Sequence, residues 1–387
     1  MKKFTSTTCE LIELVNSGAE LKGLLEKSIA KAKATNPDKD TNPAQSLEEF
    51  YYFIEWSLTT LPRFILKLPT GSSLYDRLDQ GVDYLYFLVD QPLEELEDKG
   101  YYYPSLQYHE PFRSWLASYN KQWGSFLSTP ESWKPEYAED FFTDPEFGVV
   151  REWYEDPSNW KSFNDFFSRK LRDASQRPVA APADDSVVCS PVDGWPQGVW
   201  NINEDGYIDN KVLLKSREFD SVENLLGPDS KYGKEFAGGT LTHVFLDVND
   251  YHRYHFPVSG KILEMNKIAG TDGGGGVYHW NPEAKRYWLE SRTPNWESIE
   301  TRACVVLETA EYGKVALLPI GMSQICSVNF SEGLKPGDSV VKGQEMGYFL
   351  FGGSDLVIVF QKGVKFDLTA DTTAHIMLGQ KLGDLRK

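Results

Sequence analysis

Apolar positions recur at three- and four-residue intervals through much of the first 150 residues, then give way to short β-type runs separated by turns. Between residues 8 and 33, Leu11, Leu14, Val15, Leu21, Leu24, Leu25 and Ile29 keep helical spacing. Ser46-Leu47-Glu48-Glu49 reads as a capping box ahead of Phe50, Phe53, Ile54 and Leu58, with Pro62 as the stop. Asp76 to Val89 is a further helical candidate, ended near Pro92. Another runs from Ser114 to Leu127, where Trp115, Leu116, Tyr119, Trp123 and Phe126 make one broad apolar face.

The pattern changes from Trp160 onward. Phe163 to Leu171 predicts one more short helix, and Arg177-Pro178-Val179-Ala180-Ala181-Pro182 an extended connector. Strands are expected over Thr240–Val248, Val258–Ile268, Ala303–Thr309, Gly313–Pro319, Ser323–Phe330, Met346–Phe351 and Leu356–Val364. Leu334 to Gly343 looks like a tight hairpin. Strands at this spacing suggest a sandwich or barrel rather than βαβ units. The expected fold class is therefore α+β. A helical, aromatic-rich domain over residues 1–150 precedes a β-rich catalytic domain over 151–387.

Composition sharpens this picture in two places. A chain of 387 residues, 41% of them hydrophobic, is long enough for two folding units and can bury a substantial core; aromatics make up 14% of the chain and are concentrated between Phe50 and Trp160. A net charge of −17 argues against nucleic acid and against an anionic membrane surface as partners. No run approaches the length of a membrane span and no secretory signal is evident, so a cytoplasmic protein is expected. Cys9, Cys189, Cys304 and Cys326 are widely spaced, which favours buried free thiols over disulfides.

Three segments offer chemistry. In Gly352-Gly353-Ser354, ahead of the apolar run Leu356 to Phe360, a hydroxyl sits beside a sterically open peptide carbonyl that it can attack; most such triplets are only turns. In Asp250-Tyr251-His252-Arg253-Tyr254-His255, two of the six histidines stand three apart, suited to proton relay or to plain structural roles. No matching Cys or His cluster lies nearby, so no metal is expected. In Ser190-Pro191-Val192-Asp193-Gly194, the aspartate either makes an Asx-turn or orients a histidine. Gly270 to Gly276 lacks the Lys-Ser/Thr ending of a phosphate loop and reads as a flexible loop, with His279 just beyond it.

Together these segments resemble the phosphatidylserine decarboxylases. Phe163 to Leu171, Arg177-Pro178, Ser190 to Gly194, Asp250 to His255 and Gly352-Gly353-Ser354 stand in that family's order. Trp56 to Pro62 and Asp76-Arg77 through Asp90-Gln91-Pro92 are similar to the helical extension of a branch that includes soluble decarboxylases of aromatic amino acids such as tryptophan. The resemblance implies self-cleavage between Gly353 and Ser354, with Asp193 orienting His255 and His255 taking the Ser354 proton. Ser354 becomes a covalent pyruvoyl cofactor, which captures a substrate amine as a Schiff base and accepts electrons as CO2 leaves. His252 is the expected proton donor, with His255 as the substitute. The two self-derived chains are expected to stay associated. Two positions depart from the family pattern: Asp355 stands where threonine is usual, and Gly352 where a bulkier residue is common. A carboxylate at 355 opposes the developing oxyanion unless it is neutralised or turned away.

The acidic charge favours a soluble, plausibly aromatic amino acid as substrate. Phosphatidylserine decarboxylation at a membrane surface, with peripheral contact, is the alternative. A serine hydrolase using Ser354, His255 and Asp193, or an unprocessed non-catalytic relative, are readings of another class. The absence of Gly-x-Ser-x-Gly around Ser354 weighs against the hydrolase. Homo-oligomerisation stays open.

Overall fold

The structure is a computed structural model; it describes residues 4–62, 78–143, 147–209, 220–292, 294, 296–322 and 327–387. Cys326, the Asp76-Arg77 start of the third expected helix and the start of the expected 323–330 strand lie outside the described residues.

Among the described residues, six α-helices precede the β-rich part: α1 (Ser6–Ser17), α2 (Ala19–Thr35), α3 (Leu47–Ser57), α4 (Leu78–Val89), α5 (Phe112–Leu127) and α6 (Pro135–Thr143). The apolar run over 8–33 is two helices because extended backbone at Gly18, which does not hold helical dihedrals, breaks it. The Ser46 cap is formed: its hydroxyl accepts from the Glu49 amide. Two short helices, α7 (Phe163–Phe167) and α8 (Val222–Leu226), lie among the strands and loops that follow.

Fifteen strands are found among the described residues. The first seven are β1 (Val187–Cys189), β2 (Trp195–Asn201), β3 (Thr240–Leu246), β4 (Arg253–His255), β5 (Gly260–Ile268), β6 (Val277–Asn281) and β7 (Arg286–Glu290). Then come β8 (Thr301–Glu308), β9 (Lys314–Met322), β10 (Val328–Phe330), β11 (Ser339–Val340), β12 (Glu345–Phe349), β13 (Gly353–Phe360), β14 (Lys365–Leu368) and β15 (Lys381–Arg386). An antiparallel seven-stranded sheet runs β11-β5-β8-β9-β13-β3-β2. Smaller sheets are β1-β15-β14, β10-β12-β4 and the hairpin β6-β7. The 334–343 segment is not a hairpin with itself: Ser339 and Val340 pair with Lys261 and Gly260 of β5.

Both faces of the large sheet are covered, so its central strands read as continuous apolar runs rather than alternating ones. Along β13, Leu356, Ile358 and Phe360 join a cluster that also holds Leu11, Leu25, Phe50, Trp115 and Trp123 of the helices. Val357 and Val359 enter a second cluster with Val222, Leu225 and Leu226 of α8. Each such fully buried side chain contributes roughly 1.5–3 kcal/mol. The helices and one sheet face thus share a single apolar core, which fixes what stands over the start of β13.

Candidate active site

Ser354 is the second residue of β13, hydrogen-bonded on both sides: its register partners are Leu246 of β3 and Gly321 of β9. The preceding Gly352 has φ +151°, a backbone region that side-chain-bearing residues rarely adopt. That accounts for glycine where a bulkier residue was expected. The Ser354 side chain is fully buried, yet its Oγ has no hydrogen-bond partner. A buried, unpaired hydroxyl carries a desolvation penalty of roughly 1–3 kcal/mol, so its retention requires a reason.

His252 immediately precedes β4 and His255 is its last residue; β4 pairs with β12, just upstream of Gly352 and the start of β13. The Phe349 amide donates to the His252 carbonyl (2.9 Å), tying the two segments together. His252 Nδ1 bonds the Asp250 carbonyl at 2.9 Å, and His255 Nδ1 bonds the Gly343 carbonyl at 2.8 Å. Each Nδ1 is therefore the protonated nitrogen, and each Nε2 carries the lone pair. Neither Nε2 has a partner. Burial pushes His252 well below the ordinary imidazole value, with Arg169 adding to it. Burial also lowers His255, against the Gly343 bond. Both rings are thus neutral bases at pH 7. His252 was expected as a proton donor; in the resting structure it can only accept at Nε2, because its burial disfavours the imidazolium. Ser354 Oγ is hydrogen-bonded to neither ring.

Asp193 is engaged elsewhere than expected. Its carboxylate receives Arg177 Nε (2.9 Å) and Nη2 (2.6 Å), and Oδ1 also accepts the Leu378 amide (2.7 Å). No hydrogen bond joins it to His255, whose orientation comes from Gly343 and from its own amide donating to the Pro191 carbonyl (2.9 Å). Asp193 acts on His255 only through its charge. A guanidinium offers two parallel donors to a carboxylate, so it outcompetes a single imidazole N–H.

The residues that hold these groups are not evident from sequence patterning. In α7, Ser162 and Asp165 form a complete capping box that fixes the helix start. Asn164 Oδ1 then accepts the Phe351 amide (3.0 Å), three residues before Ser354. Phe167 stacks on His252 with ring centroids 3.8 Å apart. Arg169 donates to the Asn249 and Asp250 carbonyls, bracing the His252 loop. The signal was present in Phe163 to Leu171, but nothing in its apolar spacing separates a site clamp from a packing helix.

Strand alternation sends Asp355 to the opposite face from Ser354. There its Oδ2 meets His243 Nδ1 at 2.6 Å, with both side chains fully buried. Glu297 Oε1 is 3.6 Å from the same nitrogen. Burial pulls His243 down, but Asp355 outweighs it and, with Glu297, brings the imidazole up to about 9. Asp355 is thus turned away and paired through Oδ2; burial raises its carboxyl above the ordinary value, His243 pulls it back down, and Oδ1 has no partner. Sequence spacing gave no hint of this set, because its three members are dispersed over more than a hundred residues.

A cavity of about 210 Å³ adjoins the start of β13. Leu246 and Met322, the register partners of Ser354 and Gly353, line it. So do Trp195, Tyr278, Tyr287 and Trp288, with Asp83 of α4, Asp247 and Arg286. The β6-β7 hairpin, unforeseen in the sequence, supplies much of this wall. His279 lies on the outer part of that hairpin, bonded to Glu290 (3.0 Å) and stacked on Trp288.

The Gly270–Gly276 run is packed rather than loose. The Gly274 amide donates to Gln107 (2.9 Å), the Gly273 amide to Glu300 (2.8 Å), and Asn120 donates to the Asp272 carbonyl (2.9 Å). A β-carbon on Gly274 would stand 2.8 Å from the Tyr86 ring, so the glycines let the strap lie against the helical layer. Cys189 and Cys304 are buried free thiols as expected; Cys9 is exposed. Among the described residues no helix is long and apolar enough to cross a membrane.

Comparison with known proteins identifies the family. The family model for phosphatidylserine decarboxylase matches residues 163–384, from α7 through β15. The phosphatidylserine decarboxylase proenzyme 2 of Oryza sativa subsp. japonica is 32% identical over 279 residues, 69% of this chain and 41% of that longer protein. The phosphatidylserine decarboxylase proenzyme of Fusobacterium nucleatum is 31% identical over 276 residues, 68% of this chain and 82% of the relative. Decarboxylase iboD of Amanita muscaria is 28% identical over 304 residues, 71% and 85% of the two chains. With the serine, both histidines and their supports inside the matched region, the chain belongs to the phosphatidylserine decarboxylase family of carboxy-lyases.

Proposed function

We propose that this chain cuts itself between Gly353 and Ser354, converts Ser354 to a pyruvoyl group, and decarboxylates a soluble, plausibly aromatic amino acid. The observation that carries the reading is the buried, unpartnered Ser354 hydroxyl, with the Nε2 atoms of two neutral imidazoles, His252 and His255, also left unpartnered. A serine destined for chemistry must keep its Oγ free of structural bonds, and this one does.

His255 Nε2 is the base for Ser354, its tautomer set by Gly343. The resting structure lacks the Ser354–His255 hydrogen bond, so the side chains must close up before proton transfer. Oγ then attacks the Gly353 carbonyl carbon; the Oγ–C bond forms, the C–N bond breaks, and the nitrogen of residue 354 takes a proton. Loss of the Cα proton expels the Gly353 carboxylate. Water adds, ammonia leaves, and the chain 354–387 begins with a ketone. Asp193, held by Arg177, places negative charge near His255 and so favours its protonated form during transfer. The new small chain would stay in place, because β13 is hydrogen-bonded between β3 and β9 and β15 between β1 and β14.

The pyruvoyl group supplies an electrophilic carbonyl and an electron sink for the bond to CO2. The protein's part is to receive the substrate and control protons. The cavity is smaller than the roughly 300–1,000 Å³ of sites for drug-sized ligands, which suits a free amino acid better than a two-chain lipid. Its aromatic wall suits a flat apolar side chain. His252, sealed against Phe167, is positioned to exchange a proton through Nε2. Phosphatidylserine is the second reading, favoured by the names of the relatives from Oryza sativa and Fusobacterium nucleatum.

Intact-mass analysis of purified protein tests the processing. Two chains are expected, the smaller reacting with hydroxylamine at its first residue, while Ser354→Ala should remain one inactive chain. Wild-type protein that stays whole, or a decarboxylating Ser354→Ala, would refute the cofactor assignment. CO2 release from free amino acids and from phosphatidylserine vesicles separates the two substrates.

A further inference from the structure

We propose that His243 is a positioning residue for self-cleavage, holding the Asp355 carboxylate in an internal ion pair so that its charge does not oppose the reacting Gly353–Ser354 peptide. This rests on the self-processing proposed above. Asp355 begins at the very next peptide, so its carboxylate lies only about two residue lengths, roughly 6–7 Å, from the Gly353 carbonyl. When Ser354 attacks, that carbonyl oxygen acquires negative charge. An unpaired carboxylate at such a range, at an effective dielectric near 20, would slow the step by roughly thirty- to a hundredfold.

The structure contains a device that answers this. His243 stands on β3 across from Val357, diagonal to Asp355, on the sheet face away from Ser354. Its Nδ1 meets Asp355 Oδ2 at 2.6 Å, and its Nε2 faces the Arg292 carbonyl at 3.3 Å. Trp200 of β2 closes over the ring, with centroids 5.1 Å apart. Glu297 faces the same nitrogen, and Arg302 and Tyr102 sit within electrostatic reach of Glu297. With two carboxylates toward Nδ1 and a carbonyl toward Nε2, both ring nitrogens are offered acceptors, the environment of an imidazolium. All three members are buried, so the pairing is not screened by solvent. The imidazolium cannot serve as the base for Ser354, because the sheet backbone lies between them.

Removing His243 leaves a buried carboxylate with two options: to take up a proton at low pH, or to remain charged at high pH and oppose cleavage. That gives a signature that loss of packing alone would not produce. Cell-free synthesis with timed quenching, read by intact mass, measures maturation of wild type, His243→Gln, Asp355→Asn and the double variant from pH 6 to 8.5. The rate of His243→Gln relative to wild type should fall as pH rises, reaching a thirty- to hundredfold deficit at pH 8.5. Asp355→Asn should mature within a few-fold of wild type throughout, and the double variant should match it. Melting temperatures taken in parallel identify a variant that simply fails to fold; there, His243→Asn provides a second substitution with the same expected pH dependence.

A His243→Gln profile parallel to wild type overturns the proposal, as does a double variant as slow as His243→Gln. A wild-type maturation rate that rises with added Zn2+ or Mn2+ and falls with chelator also overturns it, because the His243, Glu297 and Asp355 donor atoms, all within 4.8 Å of one another, would then be a metal site. If wild-type protein never cleaves, the processing reading itself fails; if it cleaves normally while the variants show no coupling, only the role of His243 fails.

Discussion

The two faces of β13 treat their polar groups in opposite ways. On one face Ser354 Oγ is unpartnered, as are the Nε2 atoms of His252 and His255 in the neighbouring sheet. On the other, Asp355 is bonded to His243 and the charge is paired within the fold. Both faces are equally buried, so the contrast is not one of solvent. Groups that must make or break bonds are left with an open valence, at a cost in stability. Groups that merely have to be tolerated have their charge paired, even where one oxygen, Asp355 Oδ1, goes without a bond. In a dry interior this difference marks chemistry more sharply than residue type does, since histidine occurs on both sides.

The largest expected effects come from removing the open valences. His255→Ala should block processing and leave the uncut chain, while His252→Ala should process and then turn over roughly 10²- to 10⁴-fold more slowly, as for loss of a general acid–base group. Intact mass and CO2 release on the same preparations check both. If both variants mature normally, the two histidines do not divide the labour as assigned. A smaller but still large effect is expected at the satisfied pair Asp193–Arg177, whose side chains are 4% and 3% exposed. Arg177→Gln should destabilise by about 3–5 kcal/mol, the loss typical of a buried pair broken on one side. Comparing it with Asp193→Asn sharpens the contrast. If Asp193 serves only as a partner for Arg177, the two variants mature at the same rate per folded molecule. If Asp193 turns to His255 during processing, Asp193→Asn alone stalls.

Much of this was legible in the sequence, and what was not has a physical cause. The helices α1 to α5 and the strands β3, β5, β8, β9 and β13 were expected because long periodic or continuous apolar runs signal element type directly, whereas the nine-residue α6 was not. The hairpin β6-β7 escaped because Val277 to Asn281 and Arg286 to Glu290 are short, mixed in polarity and half exposed, so their pairing depends on α4 and the helical layer behind them. Ser354, His252 and His255 were named from local motifs, but their partners were not. Whether Asp193 bonds His255 or Arg177, and whether Asp355 opposes or tolerates the chemistry, is decided by contacts between strands far apart in the chain. His243 carried no local signal at all: Thr242-His243-Val244 reads as ordinary strand.

The glycine strap supplies the smallest prediction and the cleanest control. Gly270 lies so close to β8 that a β-carbon there would sit 2.0 Å from the Glu300 carbonyl carbon and 2.2 Å from the Thr301 amide. These are backbone atoms, so no rotamer change can relieve the clash, and the strap must move away from its bond to the Thr301 hydroxyl (3.1 Å). Gly270→Ala should therefore cost about 1–3 kcal/mol, the usual penalty for overpacking a filled interior, and lower the melting temperature accordingly. Yet the strap touches neither Ser354 nor the two histidines, so the fraction that folds should mature at the wild-type rate. Denaturant unfolding and timed intact-mass measurements on one preparation separate the two quantities. A variant that folds with wild-type stability would show that the strap does not lie where its contacts put it. One that folds but matures slowly would mean that the open valences around Ser354 depend on the helical layer, and that the division between reactive and satisfied groups is drawn too narrowly at β13.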